Sequence, residues 1–121
     1  MTRKELIDLC LISPDAAEDY PFDDGGESTI MRHRSNSKWF ALIFELDGRL
    51  CINLKCEPMQ ADFWRGVYEG VIPAWHMNKV HWNTVYVNSD VKILDLRAMI
   101  RDSFELTSGA RKTVKKIEKS S

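Results

Sequence analysis

Between Trp39 and Lys55 the chain alternates. Phe40, Leu42, Phe44 and Leu46 take every second position, Asp47-Gly48 interrupts, and Leu50, Ile52 and Leu54 resume the pattern. Period two is the repeat of a strand, whose successive side chains point to opposite faces. A two-residue Asp-Gly connector is the signature of a tight hairpin. The run predicts two long antiparallel strands, with the Phe40/Leu42/Phe44 face covered by helices. Cys51, Asn53 and Lys55 point away from Leu50, Ile52 and Leu54.

The flanking elements follow from their own signals. Thr2 and Glu5 have capping-box spacing, and Leu6, Leu9 and Cys10 recur at helical intervals, so a helix is expected over 3–12, stopped by Ser13-Pro14. The acidic stretch from Asp15 to Glu27, with Pro21 and Gly25-Gly26, reads as loop. Thr29 to Arg34 reads as a strand. Pro58 suits a first helical turn. Met59, Phe63 and Val67 follow at i, i+4 and i+8 with Trp64 beside them, giving a helix over 58–68 that stops near Gly70. Val71 to Trp75 reads as a short strand and Trp82 to Asn88 as a longer one. Leu96, Met99, Ile100 and Phe104 mark a last helix over 95–106. The order α-β(3)-α-β(2)-α with consecutive hairpins implies an α+β two-layer sandwich, an antiparallel sheet of about five strands with helices on one face.

The chain has 121 residues, which suits one domain over 1–107 followed by a basic tail over 108–121. The formal net charge of −1 conceals a polarity. The tail holds five bases and one acid, whereas residues 1–107 hold 12 bases and 17 acids, a net of −5. A nucleic-acid domain is ordinarily basic overall, so strong DNA binding is disfavoured. No apolar run is long enough for a membrane span, and no signal-like stretch follows Met1, so the expected location is cytoplasmic. Cys10, Cys51 and Cys56 form no Cys-x-x-Cys pair and read as reduced, partly buried thiols.

The segment from Trp75 to Asn83 carries the densest chemistry: two Trp, two His, two Asn and one Lys within nine residues. Trp75 and Trp82 can stack on unpaired bases. Asn78 and Asn83 can bond base edges. His76 and His81 add further donors, and Arg32, Arg34, Lys38, Lys55 and Lys79 can meet phosphates. The alternative is structural: the indoles pin the segment to the sheet and Asn78 supports a turn. His33, His76 and His81 lack metal-ligand spacing, and no nucleophile elbow or phosphate loop is present. Neither a catalytic residue, a metal nor a cofactor is expected.

Several motifs together resemble the YjbR/MmcQ family of small bacterial proteins. They are Cys10-Leu11 with Pro14 and Ala16, Glu18-Asp19-Tyr20-Pro21-Phe22, Lys38-Trp39-Phe40-Ala41-Leu42, Leu54-Lys55-Cys56-Glu57-Pro58, the segment Pro73 to Val85, and Ser103-Phe104-Glu105-Leu106. At position 75 the family typically has Tyr. The resemblance implies a secretion-chaperone-like fold and carries a DNA-binding label; with the acidic balance of residues 1–107 and no catalytic motif, the expected role is weak, non-enzymatic DNA binding. The surface would join Trp75–Asn83 to Arg32, Arg34, Lys38 and Lys55. The alternative is a protein-interaction module, a homodimer through the open sheet face, with Trp39, Ile43, Cys51 and Tyr86 displayed there.

Overall fold

A computed structural model of the chain describes residues 1–109; of the basic tail, residues 110–121 lie outside them. Three helices, α1 (Arg3–Cys10), α2 (Pro58–Val67) and α3 (Ile93–Thr107), accompany six strands. These are β1 (Ala16–Asp19), β2 (Thr29–His33), β3 (Trp39–Leu46), β4 (Arg49–Lys55), β5 (Val71–Pro73) and β6 (Trp82–Tyr86). They form one sheet in the order β1-β2-β3-β4-β6-β5, every neighbouring pair antiparallel. The expected α+β arrangement stands, with one further edge strand. That strand, β1, lies in the acidic stretch expected as loop and pairs with β2 from Ala16–His33 to Asp19–Ile30.

The hairpin turn decides which side chains share a face. Asp47 and Gly48 both have positive φ, 52° and 73°, as a type I′ turn requires. Leu46 therefore sits opposite Arg49, Phe44 opposite Cys51, and Leu42 opposite Asn53. Cross-strand partners lie on the same side of a sheet. Ile43, Ile52 and Val85 thus form one row beneath the helices, packed with Met31, Ala41 and Leu54 from the sheet and Leu6, Cys10, Leu96 and Ile100 from α1 and α3. Leu42 and Phe44 face the other way, which corrects the expectation that Phe40, Leu42 and Phe44 lie together under the helices. Ile43, expected on the open face, is core.

Phe40 escapes the alternation through a bulge. Met31 pairs with Ala41 and Arg32 with Trp39, so Phe40 has no opposite number on β2. An extra residue of this kind resets the alternation. Phe40 turns to the helix side, its ring 5.0 Å from Phe104 and 5.5 Å from His33. Trp39 returns to the face of Leu42. The Ser103 hydroxyl of α3 donates to the Phe40 carbonyl and accepts from the Lys55 N–H at 2.9 Å, fastening the helix to two strands.

Helix α2 uses a different stripe from the one its spacing suggested. Met59, Phe63 and Val67 are 87%, 54% and 48% exposed, and the inward face is Ala61, Trp64 and Tyr68. Both stripes obey helical spacing. The Trp64 and Tyr68 rings stack at 6.1 Å, and the Tyr68 hydroxyl donates to Asp95 of α3. These contacts lock the larger rings inward. Among the described residues no helix is long and apolar enough to cross a membrane.

Candidate functional site

The sheet face opposite the helices carries two buried polar side chains, Asn53 and Thr84, directly opposed across β4 and β6. Buried polar groups must be paired, and this pair finds its partners in Trp75. The Thr84 hydroxyl donates to Asn53 Oδ1 and accepts from the Trp75 N–H at 2.9 Å. Asn53 Nδ2 donates to the Trp75 carbonyl at 3.0 Å. Both backbone groups of Trp75 are thereby fixed. The next residue, His76, has a φ of 62°, which turns the chain off the sheet. Lys79 Nζ donates to the Ala74 carbonyl at 2.8 Å, and Asn78 Oδ1 accepts from the N–H groups of Val80 and His81. The connection is an ordered turn, as the polar content of the segment suggested.

So held, the Trp75 indole lies parallel on Phe44, with centroids 5.4 Å apart and planes 17° from parallel. Phe22, from the loop after β1, meets Trp39 edge to face at 5.7 Å. Between these two aromatic pairs runs an open cleft of about 550 Å³, floored by Leu42 and Phe44 and flanked by His76 and Met77. Asp23, Asp24 and Ser28 line its other side. The Asp24 carboxylate is oriented by the N–H groups of Gly26 and Ser28. A neighbouring cavity of about 500 Å³ continues past Phe44 and Trp75 to Glu27, Glu45 and Arg3. The Arg3 guanidinium there is committed to Thr29 Oγ1, the Ile43 carbonyl and, at 4.0 Å, Glu45.

The structure scatters the residues expected to touch nucleic acid. Asn83 lies on the helix side and is 2% exposed. It donates to the Ala61 carbonyl at 3.2 Å and accepts from Arg65 Nε at 2.6 Å. It holds α2 to the sheet and cannot read a base, a correction that follows from its register opposite core residue Leu54. Arg32 pairs with Asp19 at 3.3 Å. Arg34 and Lys38 are exposed near the β2–β3 turn. Lys55 and Trp82 are cross-strand partners on the open face. His81 is exposed, and its carbonyl accepts from the Cys56 N–H at 2.8 Å. The cleft instead gathers Phe22, Asp23, Asp24, Leu42, Phe44 and Met77 around Trp75 and His76. The hairpin parity was the signal that could have found Leu42 and Phe44.

His33 makes the arrangement nearest to a triad: Nδ1 is 3.1 Å from Asp15 and Nε2 is 2.8 Å from Thr107 Oγ1. Thr107 Oγ1 also lies 2.9 Å from the Ser103 carbonyl, and both His33 and Thr107 are buried, so substrate has no approach. Burial pushes the Cys10 thiol up to about 12 and those of Cys51 and Cys56 up to about 11. Such thiols stay protonated near neutrality and are poor nucleophiles. Among the described residues no three His, Cys, Asp or Glu are grouped to hold a metal.

The YjbR family model matches residues 11–106, a span containing both aromatic walls and the Asn53–Thr84 pair. The chain belongs to the YjbR family. It is 30% identical to the uncharacterized protein YyaQ of Bacillus subtilis over 88% of this chain and 98% of that one. It is 29% identical to the uncharacterized protein YjbR of Escherichia coli K12, over 87% and 86% respectively. A crystal structure of a Pseudomonas syringae protein superposes with a TM-score of 0.79 at 32% identity, covering 89% of this chain and 100% of that one. A Deinococcus radiodurans protein does so at 0.78 and 28%, covering 93% and 86%. The six-stranded architecture is thus the scaffold on which this YjbR-family chain carries its cleft.

Proposed function

We propose that this YjbR-family chain is a non-enzymatic binding protein whose recognition surface is the aromatic cleft of the open sheet face. One observation carries the reading. Trp75 has both backbone groups fixed by buried side chains, yet its residue surface remains 41% exposed. A Trp that served only packing would gain by burying that surface, at roughly 25 cal/mol per Å². An indole held in place and left open is a preorganised platform. The neutral fluorophore N-phenyl-1-naphthylamine tests this. It should brighten with the wild-type chain and not with Trp75→Ala. Equal brightening with both would refute the reading.

Homodimer formation sheet to sheet is less favoured, because Phe22, Asp23 and Asp24 on one side and Trp75, His76 and Met77 on the other flank Leu42 and Phe44 on the face that such a dimer would use. DNA binding stays as the second reading, supported by the Lys55–Trp82 pair on the open face and by exposed Arg34 and Lys38. Fluorescence anisotropy with a single-stranded oligonucleotide at low salt decides it, since phosphate contacts weaken steeply as salt rises. Binding lost in Lys55→Ala but kept in Trp75→Ala would favour DNA over the cleft.

A further inference from the structure

The cleft has a charge as well as a shape. Its two walls present the rings of Trp39 and Trp75, and the side toward the 22–28 loop presents Asp23 and Asp24. Among the described residues no Lys or Arg lines it, and the ring of His76 sits 3.6 Å from that of Trp75. Beyond Phe44 the adjoining cavity adds Glu27 and Glu45, with Arg3 already paired to Glu45. Asp23 has no hydrogen-bond partner among the described residues. An anionic ligand would be repelled by the carboxylates of Asp23 and Asp24. A neutral one would gain hydrogen bonds from them at most, without the Coulomb attraction.

We infer that this cleft is a site for a small organic cation of the alkylated ammonium class, its apolar shell against Trp39, Phe44 and Trp75 and its charge facing Asp23 and Asp24. The inference rests on the binding role proposed above and names its ligand class. Two physical terms act together. The negative face of an aromatic ring attracts a cation, most strongly for Trp, and the carboxylates add Coulomb attraction in a partly desolvated groove. A quaternary ammonium also suits the apolar floor, because its methyl groups carry no hydrogen-bond donors that Leu42 and Phe44 would leave unsatisfied. The volume of about 550 Å³ lies in the range of small-molecule sites rather than of extended peptide grooves.

The test compares choline with 3,3-dimethyl-1-butanol, which has the same shape without the charge, by NMR titration of the full chain. Choline should shift the indole N–H signals of Trp39 and Trp75 and bind at least about ten-fold more tightly than the alcohol, roughly the value of one cation–π contact plus one screened ion pair. An Asp23→Asn variant, which leaves Asp24 and its bonds to Gly26 and Ser28 in place, should lower that preference about two-fold or more, and an unchanged preference would overturn the part assigned to Asp23. Equal affinity for the two probes would overturn the cation assignment and leave the cleft reading standing. Indole signals unmoved by choline, by the alcohol and by N-phenyl-1-naphthylamine would overturn both. A trimethyl-lysine peptide that binds ten-fold more tightly than choline would overturn the small-molecule assignment in favour of a protein side chain.

Discussion

His33 Nδ1 lies 3.1 Å from the Asp15 carboxylate, joining the buried end of β2 to the residue just before β1. An ionised carboxylate can only accept, so the ring nitrogen donates. The Ser35 hydroxyl and N–H also bond Asp15, at 2.7 and 2.9 Å. Ser35 is the main cause that lowers the Asp15 carboxyl below its ordinary 3.8. The Gly70 N–H does the same for Asp90, followed by the Glu69 N–H. A carboxyl lowered in the folded state stabilises it above the unfolded value, and that contribution is lost as pH falls through the folded value. Thermal melts should therefore show Tm dropping below about pH 4. Asp15→Asn/Asp90→Asn should melt lower than wild type at neutral pH, and the gap should narrow in acid. A gap that stays constant down to pH 2 would contradict this assignment.

Gly70 precedes β5 where the 88–91 connection crosses it. A Cβ at this position would meet Ser89 Oγ at 2.1 Å and Asp90 Oδ1 at 2.9 Å. Neither can move freely, because the Ser89 hydroxyl donates to the Tyr86 carbonyl and Asp90 caps Glu69 and Gly70. Gly70→Ala should cost about 1–3 kcal/mol by overpacking. Denaturant titration measures it; a change under 0.5 kcal/mol would mean the connection yields easily.

Phe40 and Trp75 separate folding from recognition. Phe40 is fully buried between His33 and Phe104. Phe40→Ala should lose about 3–5 kcal/mol. Trp75→Ala removes a ring that is partly in solvent and should lose less than half as much, while abolishing fluorophore and choline binding. Urea melts beside the binding titrations check both.

Thr84 positions Trp75 without touching the cleft. Thr84→Val keeps the shape and deletes the hydroxyl that serves Asn53 and the Trp75 N–H. It should cost about 1–3 kcal/mol for the unsatisfied buried groups. It should also weaken choline binding while leaving the indole present. Thr84→Ser, which restores the hydroxyl, should recover the affinity. Failure of Ser to recover it would show that the methyl group, not the bond, sets the geometry.

The elements were legible because each left a local mark: the Thr2–Glu5 capping box, the Asp47-Gly48 turn, Pro58 at the start of α2. What lay beyond reading was mostly a matter of faces. In β3 both alternating sets are apolar or aromatic, Ala41 and Ile43 as well as Leu42 and Phe44, so hydrophobicity alone could not choose the buried side. The turn could have chosen it, since a two-residue connector pairs even positions of β3 with odd ones of β4. In α2 two stripes met the same spacing rule, and only contacts with α3 and with Asn83 of β6 distinguished them. β1 was hidden because its burial is one-sided and its sequence, Ala-Ala-Glu-Asp, has little β preference. In the Trp75–Asn83 segment the turn-forming role of Asn78 was legible. The inward orientation of Asn83 depended on register with Leu54.

The bulge at Phe40 has a consequence for how this protein can change over time. It lets a single strand supply Phe40 to the interior and Trp39 to the exterior without either choice constraining the other. Substitutions at 22, 39, 42 and 75 can alter what the outer surface accepts while the row of Ile43, Ile52 and Val85 keeps the fold. Deleting one residue there would couple the two again: without Phe40, Trp39 stays outward opposite Arg32 and the space beside His33 and Phe104 is emptied, and without Trp39, Phe40 turns outward. The extra residue is a hinge between two separately evolvable halves of the sheet.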